Sequence, residues 1–353
     1  MAYLPLSTAN LPDPAINPAQ GKSPEDYFDI DTYTGTSATH ERSELQFQPD
    51  FVWIKGRSDA YSSRIFDAVR GVDKVLVSDS TQAEFDGGGT TYMSSFDSDG
   101  FTLTSNISVN GTSKTYVAWN WKANGSGVSN TDGSITSTVS ANTESGFSIV
   151  SYTGTGSNAT VGHGLDSAPD MFIVKNRDRS ADWYIYHTDL GATKNLKFTT
   201  ASAATQAGVF NNTEPTSTVF SLGTNSALNA SGEDIIAYCF HSVEGFSKFS
   251  SYVGNGSSDG VFVYTGFRPA FLLYKRTGGA SSWALIDSER GISNPIGPYV
   301  FPDTSDAEAS ATILDFTSNG FKIRATFNST NASGETYIYM AFAENPFKFS
   351  LAR

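Results

Sequence analysis

Gly256-Ser-Ser258-Asp-Gly260 has the G-x-S-x-G spacing of a hydrolase nucleophile. That motif works when a tight strand-to-helix turn presents the serine. Here no helical pattern follows it, and the matching turns elsewhere in the chain lack the serine, so Ser258 reads as a turn residue. His40, His163, His187 and His241 are scattered and have no spacing that would join two of them on a metal. His163, in Val-Gly-His-Gly-Leu, reads as a loop residue bonded to backbone. Acids come in close pairs, Asp29/Asp31, Asp97/Asp99 and Glu233/Asp234. A glycosidase needs two carboxylates about 5–9.5 Å apart across a cleft, and the E-x-D-x-E strand signature of sandwich-type glucanases is missing. Asp97-Ser-Asp99-Gly100 lacks the distal glutamate of a calcium loop and reads as a turn. Cys239 stands inside an apolar run, which points to a buried, inert thiol. Trp53, Trp119, Trp121, Trp183 and Trp283 could stack on sugar rings, but they lie on strands where core packing is the better reading. The expectation is therefore a protein without enzymatic activity, catalytic residues, metal ligands or cofactor, and with no binding residue assignable from sequence.

The elements that would position such residues come in three copies. Pro49-Asp-Phe-Val-Trp-Ile-Lys55 returns as Pro169-Asp-Met-Phe-Ile-Val-Lys175 and as Pro269-Ala-Phe-Leu-Leu-Tyr-Lys275. Each copy opens on an aromatic-x-Gly turn, at Tyr33-Thr-Gly35, Tyr152-Thr-Gly154 and Tyr252-Val-Gly254. Each closes on a strand of small and aromatic residues, Tyr116–Trp121, Ile235–Phe240 and Tyr337–Phe342. In the last two copies that strand follows Asn229-Ala-Ser-Gly232-Glu and Asn331-Ala-Ser-Gly334-Glu. The runs are short, β-branched and aromatic, and are bounded by Gly, Asn, Asp and Ser, which is strand and turn chemistry. Asp99-Gly100, Asn319-Gly320, Asn110-Gly111 and Asn255-Gly256 have hairpin composition. A repeat of roughly 100 residues is the size of one β-sandwich. The repeated Lys55, Lys175 and Lys275 fall at strand ends and are expected to pair with nearby acids.

These features divide the chain into a Pro-rich extended arm (1–28), β-sandwich module one (29–122), a Gly/Ser/Thr/Asn linker (123–145), module two (146–245) and module three (246–353). The fold class is all-β, with three tandem β-sandwich modules of jelly-roll or concanavalin-like type behind the arm. Modules two and three join with almost no spacer and should pack together, with module one offset. Leu4, Leu6, Leu11 and Ile16 give the arm anchors for docking onto a neighbouring chain.

The 353 residues carry a net charge of −13 and no Lys/Arg cluster, which argues against nucleic acid and anionic membrane partners. Only 17% of residues are charged, so the surface is built largely from Ser, Thr, Asn and Gly. That surface suits packed assemblies and particles as well as a plain β-rich protein. No apolar run approaches the ~20 residues of a membrane helix, and the N-terminus has no signal-peptide pattern. Sequons such as those at Asn106, Asn229 and Asn331 read as by-products of turn composition.

The leader Leu11-Pro-Asp-Pro-Ala-Ile-Asn-Pro and Ser23-Pro-Glu-Asp-Tyr-Phe28 resemble the start of structural proteins of tailed bacteriophages, of marine or cyanobacterial type. So do Phe47-Gln-Pro-Asp-Phe-Val-Trp-Ile-Lys55, Phe96-Asp-Ser-Asp-Gly-Phe101, Tyr116-Val-Ala-Trp-Asn-Trp-Lys122 and the closing Tyr337–Phe347. The resemblance covers nearly the whole chain. It is to a family of unknown function that brings no catalytic residue with it, and whose members are labelled virion or tail-fibre proteins. It implies a virion component made in the host cytoplasm without a signal peptide. A tail-associated fibre or adhesin is expected first, and a capsid-decorating protein anchored by its arm second. A glycan-active enzyme is the reading the missing carboxylate motif disfavours. The implied partners are other virion proteins (tail or capsid subunits) and a host cell-surface glycan, without nucleic acid or membrane insertion, and the implied oligomer is a homotrimer. Binding is expected in the loops where the copies differ, 78–95, 201–217 and 302–312.

Overall fold

The computed structural model describes residues 11–206 and 208–349. It is all-β, with antiparallel pairing between all its named strands, and each module is built on one four-strand arrangement. In module one an opening strand (Phe28–Thr34), a lysine strand (Phe51–Gly56), a short strand (Arg64–Asp67) and a closing strand (Thr115–Trp121) lie in the spatial order opening–closing–lysine–short. Module two repeats that order with Phe147–Thr153, Met171–Asn176, Tyr184–His187 and Asp234–Phe240. Module three repeats it with Ser247–Val253, Phe267–Arg276, Ala284–Asp287 and Thr336–Pro346. A second sheet covers one face in each module. Its strands are His40–Arg42, Gly100–Leu103 and Met93–Asp97 in module one, and Ala159–Gly162 with Val219–Leu222 in module two. In module three they are Phe262–Tyr264, Gly320–Ile323, Ala309–Thr317 and Ile296–Tyr299. Between the layers lie three separate cores, around Val52 and Ile54, Phe172 and Val174, and Leu272 and Tyr274.

The other face of all three main sheets is also buried. Phe51, Trp53, Trp119 and Trp121 meet Phe147, Ile173, Tyr238 and Phe240 from module two and Phe271, Leu273, Met340 and Phe342 from module three in one common core. Trp121 lies against Phe51, Phe240, Phe271 and Phe342 with ring centroids 5.2–6.5 Å apart. The lysine strands are therefore covered on both faces. This is why they read as unbroken apolar runs instead of the alternation of a sheet with one wet face. The modules close around a pseudo-threefold axis, and module one is as much a member of the ring as the other two, not offset from a two-module pair.

Two further expectations give way. Residues 123–145 are not a free linker: Val128–Asn130 and Ser137–Asn142 form a hairpin that pairs with the opening strand of module two, Ser137 opposite Tyr152 through Asn142 opposite Phe147. Their alternating Ser, Thr, Val and Ala is edge-strand composition that resembles a flexible linker. Residues 1–10 of the arm lie outside the described residues. From Leu11 onward the arm packs on its own chain: Ile16 is fully buried in the common core, and Lys348 Nζ donates to Leu11 O and Asp13 Oδ1.

The aromatic-x-Gly turns are fixed by one device used three times. Tyr33, Tyr152 and Tyr252 donate their hydroxyls to Val109 O, Leu228 O and Thr330 O at 2.8–2.9 Å. Those carbonyls belong to single-turn helices, Ile107–Asn110, Ser226–Asn229 and Asn328–Asn331. A Cβ on Gly154 would come within 2.3 Å of Ala230 O, and Gly35 and Gly254 are pressed as closely against Gly111 O and Ala332 O. Only glycine allows that approach. The last helical residues Asn110, Asn229 and Asn331 are fully buried, and each accepts from the turn amide and donates to two carbonyls, as Asn229 does with Thr155 N, Ser157 O and Gly223 O. Asn110-Gly111 thus ends a helix and is not a hairpin turn, whereas Asp99-Gly100 and Asn319-Gly320 do join paired strands.

Candidate functional site

The three repeated lysines are buried, and they reach across the module boundaries. Lys55 Nζ donates to Tyr61 O, six residues on, at 2.9 Å and to Thr304 O of module three at 2.8 Å. Lys175 Nζ donates to Ala181 O at 2.6 Å and to Thr81 O of module one at 2.9 Å. Lys275 Nζ donates to Ser281 O and, at 3.2 Å, to Thr199 O of module two. The set is cyclic: each ammonium pins its own following loop and the loop of one neighbour. The expected partners were acids, and the hydrogen-bond partners are main-chain carbonyls. Burial pushes each lysine down to about 8, with nearby aspartates such as Asp79 beside Lys55 and Asp182 beside Lys175 opposing the shift. Both forms of the amine can donate to the two carbonyls, so the clasp does not depend on the charge.

Backbone bonds follow the same rotation. Glu84 N donates to Arg177 O, Ala203 N to Thr277 O and Glu308 N to Arg57 O. At two of these seams the side chains add a chain of ion pairs. Arg177 grips Glu84 bidentately at 2.9 and 3.0 Å, Glu84 also takes Arg70, and Arg70 pairs with Asp67. Arg57 grips Glu308 at 2.9 and 3.0 Å, Glu308 takes Arg290, and Arg290 pairs with Asp287. Each chain ends on a closing strand of another module. Tyr238 OH donates to Asp67 Oδ2 at 2.7 Å, and Trp119 Nε1 donates to Asp287 Oδ2 at 2.9 Å. Trp119, Tyr238 and Met340 hold one register position, as do Asp67, His187 and Asp287. At the third seam Met340, His187, Leu190, Ala203 and Thr277 stand in those places, and in place of the ionic chain Met340, Leu190 and Ala203 pack in the common core.

The arrangement is mechanical in character. Burial works to raise the Glu84 carboxyl, and Arg177 and Arg70 outweigh it, so it stays below the usual range and anionic. Such networks fix register and orientation between packed bodies.

A family model described as a domain of unknown function, DUF7483, matches residues 23–346. The chain belongs to this family. The match runs from Ser23 in the arm to Pro346 at the end of the last closing strand, so the DUF7483 unit takes in the whole closed triplet. No curated protein and no solved structure matches the chain.

The residues singled out for chemistry are dispersed over this DUF7483 domain. Ser258 lines an open depression with Asn294, Pro295, Thr312, Asp315 and Arg324, a set without a histidine. His163 Nδ1 accepts from Leu165 N while Nε2 meets Thr216 O, and burial pushes its pKa down. His187 accepts from Asp189 N, and His40 meets Asn110 Oδ1 at 3.1 Å. His241 Nδ1 lies 3.0 Å from Ser242 O. Cys239 is fully buried, and burial raises its thiol well above the usual range. Asp31 is paired with Arg42, Glu233 with Arg179, and Asp97 accepts from Thr102. Asp29 is pushed up to about 7, mainly by burial, with Glu25 and Glu289 adding to it. All five tryptophans are buried in the common core. Among the described residues no group of three or more His, Cys, Asp or Glu could hold a metal ion, and no helix is long and apolar enough to cross a membrane.

All three loops named for binding carry seam contacts, loop 201–217 through Ala203 N, which donates to Thr277 O. Loop 78–95 holds Thr81 and Glu84, and loop 302–312 holds Thr304 and Glu308. Sequence reasoning missed this network, although Asp67-x-x-Arg70 and Asp287-x-x-Arg290, each followed by a glutamate 14 and 18 residues past its arginine, were visible in two copies.

Proposed function

We propose that the chain is a non-enzymatic structural protein of a tailed-bacteriophage particle, acting as a tail-associated fibre or adhesin component whose rigid β-body presents loops outward. The observation that carries the structural part is the use of the repeated polar residues. The recurring tyrosines and asparagines are spent on fixing the turn within each module, and the recurring lysines and two of the acids on tying the three modules into one body. The particle context is supported by the sequence resemblance. Host-surface glycans and neighbouring tail or capsid subunits are the partners that context suggests.

A capsid-decorating role is the second reading, and the closed shape favours it. Three modules around one axis make a compact block, where a string of modules would make a rod. Gel densitometry and peptide mass spectrometry of purified particles test both. A copy number of a few per particle supports the tail reading, and a number close to that of the coat protein moves the chain to the capsid surface. Absence from purified particles overturns both. Mass measurement in solution tests the homotrimer; since the chain already contains a threefold, a monomer there would be self-sufficient.

A further inference from the structure

The opening strands hold equivalent places in the three sheets, but only one of them is covered. In module two, Phe147–Thr153 is flanked on its outer side by Ser137–Asn142. In module three the equivalent strand, Ser247–Val253, is the edge of its sheet. The register fixes the equivalence: Phe147 faces Phe240 and Ser247 faces Phe342, while Phe240 and Phe342 face Met171 and Phe271. The difference arises in the connections. Ser242 leads into Ser247 directly, where the corresponding stretch after Ala123 carries the extra hairpin.

A groove of about 430 Å³ lies where the missing strand would run. It is lined by Ser247, Lys248, Ser250, Tyr264 and Gly266 of module three, and also by Leu11, Pro12 and Pro14 of the arm and by Phe347 and Lys348. The module-two counterparts of Tyr264 and Gly266 are Gly162 and Gly164, set by the pairing of Val161 with Phe220 and Val263 with Phe321. Those two glycines carry the hairpin: Ser137 Oγ donates to Gly162 O, and Gly164 lies against Val139 and Ala141. So the groove overlaps the seat that Ser137–Asn142 fills in module two, with the chain's own arm at Leu11, Pro12 and Pro14 along part of its lining.

The edge is also chemically open along part of its length. Alternate residues of a strand present N–H and C=O to the same side. Gly254 N bonds inward to Glu335 O, while Ser247 N and Phe249 N point outward, to Val243 O and Ser242 Oγ. Ser251 and Val253 share the outward phase and have no partner strand among the described residues. Ser251 is the counterpart of Ser151, which the hairpin pairs with Thr138. The opening strand of module one is different: Asp29 Oδ1 takes the outward Ile30 N–H at 2.7 Å, and the depression beside it is about 40 Å³.

We propose that this groove is a strand-acceptor site, taking one extended, uncharged strand with small side chains at alternate positions from a second polypeptide. The incoming strand runs antiparallel to Ser247–Val253, as Ser137–Asn142 does to Phe147–Thr153. A main-chain bond to Ser251, whose counterpart Ser151 pairs with Thr138, supplies affinity, and the Gly266 floor selects small side chains. The inference continues an interface already built inside the chain and does not depend on the particle reading.

The probe is a synthetic peptide with the sequence of Ile135–Asn142, added to the full chain and followed by hydrogen–deuterium exchange. The expected result is exchange slowed about tenfold or more at Ser251, and lost when the peptide carries Val139→Pro. No slowing at millimolar peptide overturns the proposal, as does equal slowing by the proline peptide. Slowing seen only in a variant lacking residues 1–10 also overturns it, because the groove then belongs to the chain's own leader. The variant Ser251→Pro, which removes one outward donor on an edge strand, should keep the native far-ultraviolet spectrum and lose the response.

Discussion

Lys175 of module two donates its ammonium to the Thr81 carbonyl of module one, 2.9 Å away and 94 residues earlier in the chain. Lys55 and Lys275 repeat the contact at the other two seams. Removing any one lysine leaves a carbonyl unpaired on each side of a module boundary. Each unmade bond at a buried group costs roughly 1–3 kcal/mol. The variants Lys55→Ala, Lys175→Ala and Lys275→Ala should therefore each lower the urea unfolding midpoint by a similar amount. An unchanged midpoint for all three would remove the clasp from the list of stabilising contacts.

The same lysines set a pH dependence. Their folded pKa values near 8 lie below the unfolded value of about 10.4. Between those limits the unfolded chain binds more protons than the folded one, so stability from these groups rises with pH from about 8 upward. Buried tyrosines such as Tyr33, Tyr152 and Tyr252, whose pKa values burial pushes well up, act in the opposite sense above about pH 10. Denaturation at pH 7.5, 8.5 and 9.5 should show the rise, and it should shrink in a Lys175→Met variant.

The buried ion chains invite a swap. Asp67→Ala strips the Arg70 guanidinium of a carboxylate inside the core, a loss of roughly 3–5 kcal/mol. Installing at that seam the residues of the third one (Asp67→His, Arg70→Leu, Glu84→Ala, Arg177→Thr, Tyr238→Met) removes charge and countercharge together. The fivefold variant should unfold at a higher urea concentration than Asp67→Ala alone. The reverse order would mean that the seams are not interchangeable.

Gly154→Ala drives a methyl into the Ala230 carbonyl, and the turn cannot yield without releasing Asn229. The expected loss is about 1–3 kcal/mol, measured as a fall in Tm, with Gly35→Ala and Gly254→Ala behaving alike. A neutral result at all three would mean that the turns have slack absent from the packed geometry.

Asn229 and Asn331 lie in sequons, yet all their polar atoms are engaged and both are fully buried. Expression in a glycosylating host should leave both unmodified in folded protein, as read by peptide mass spectrometry. A glycan at either one would require the latch to open before folding completes.

The strands and their triplication were legible because Pro-to-Lys runs, aromatic-x-Gly turns and closing strands recur with fixed spacing. The three-way closure was not, since a sheet buried on both faces shows the same apolar run whatever covers it. Trp53 and Phe51 announce burial without naming Phe198 or Tyr238 as the neighbours. The hairpin at 128–142 was hidden by composition: Ser-Thr-Val-Ser-Ala-Asn has too few large side chains to look like strand. The lysines were expected to seek acids, because sequence shows charges and does not show which carbonyls a buried ammonium will find.

All donors and acceptors of the ring sit on one covalent thread. A trimer of separate subunits obeys mass action and falls apart on dilution, but here the neighbours are tethered at an effective concentration that dilution cannot lower. Tethering also ends the requirement that three faces be identical. One seam lacks the ion chain, one copy carries a hairpin on its opening strand and the other two leave that strand at an edge, each in a fixed position that a symmetric assembly of equal subunits has no means to specify.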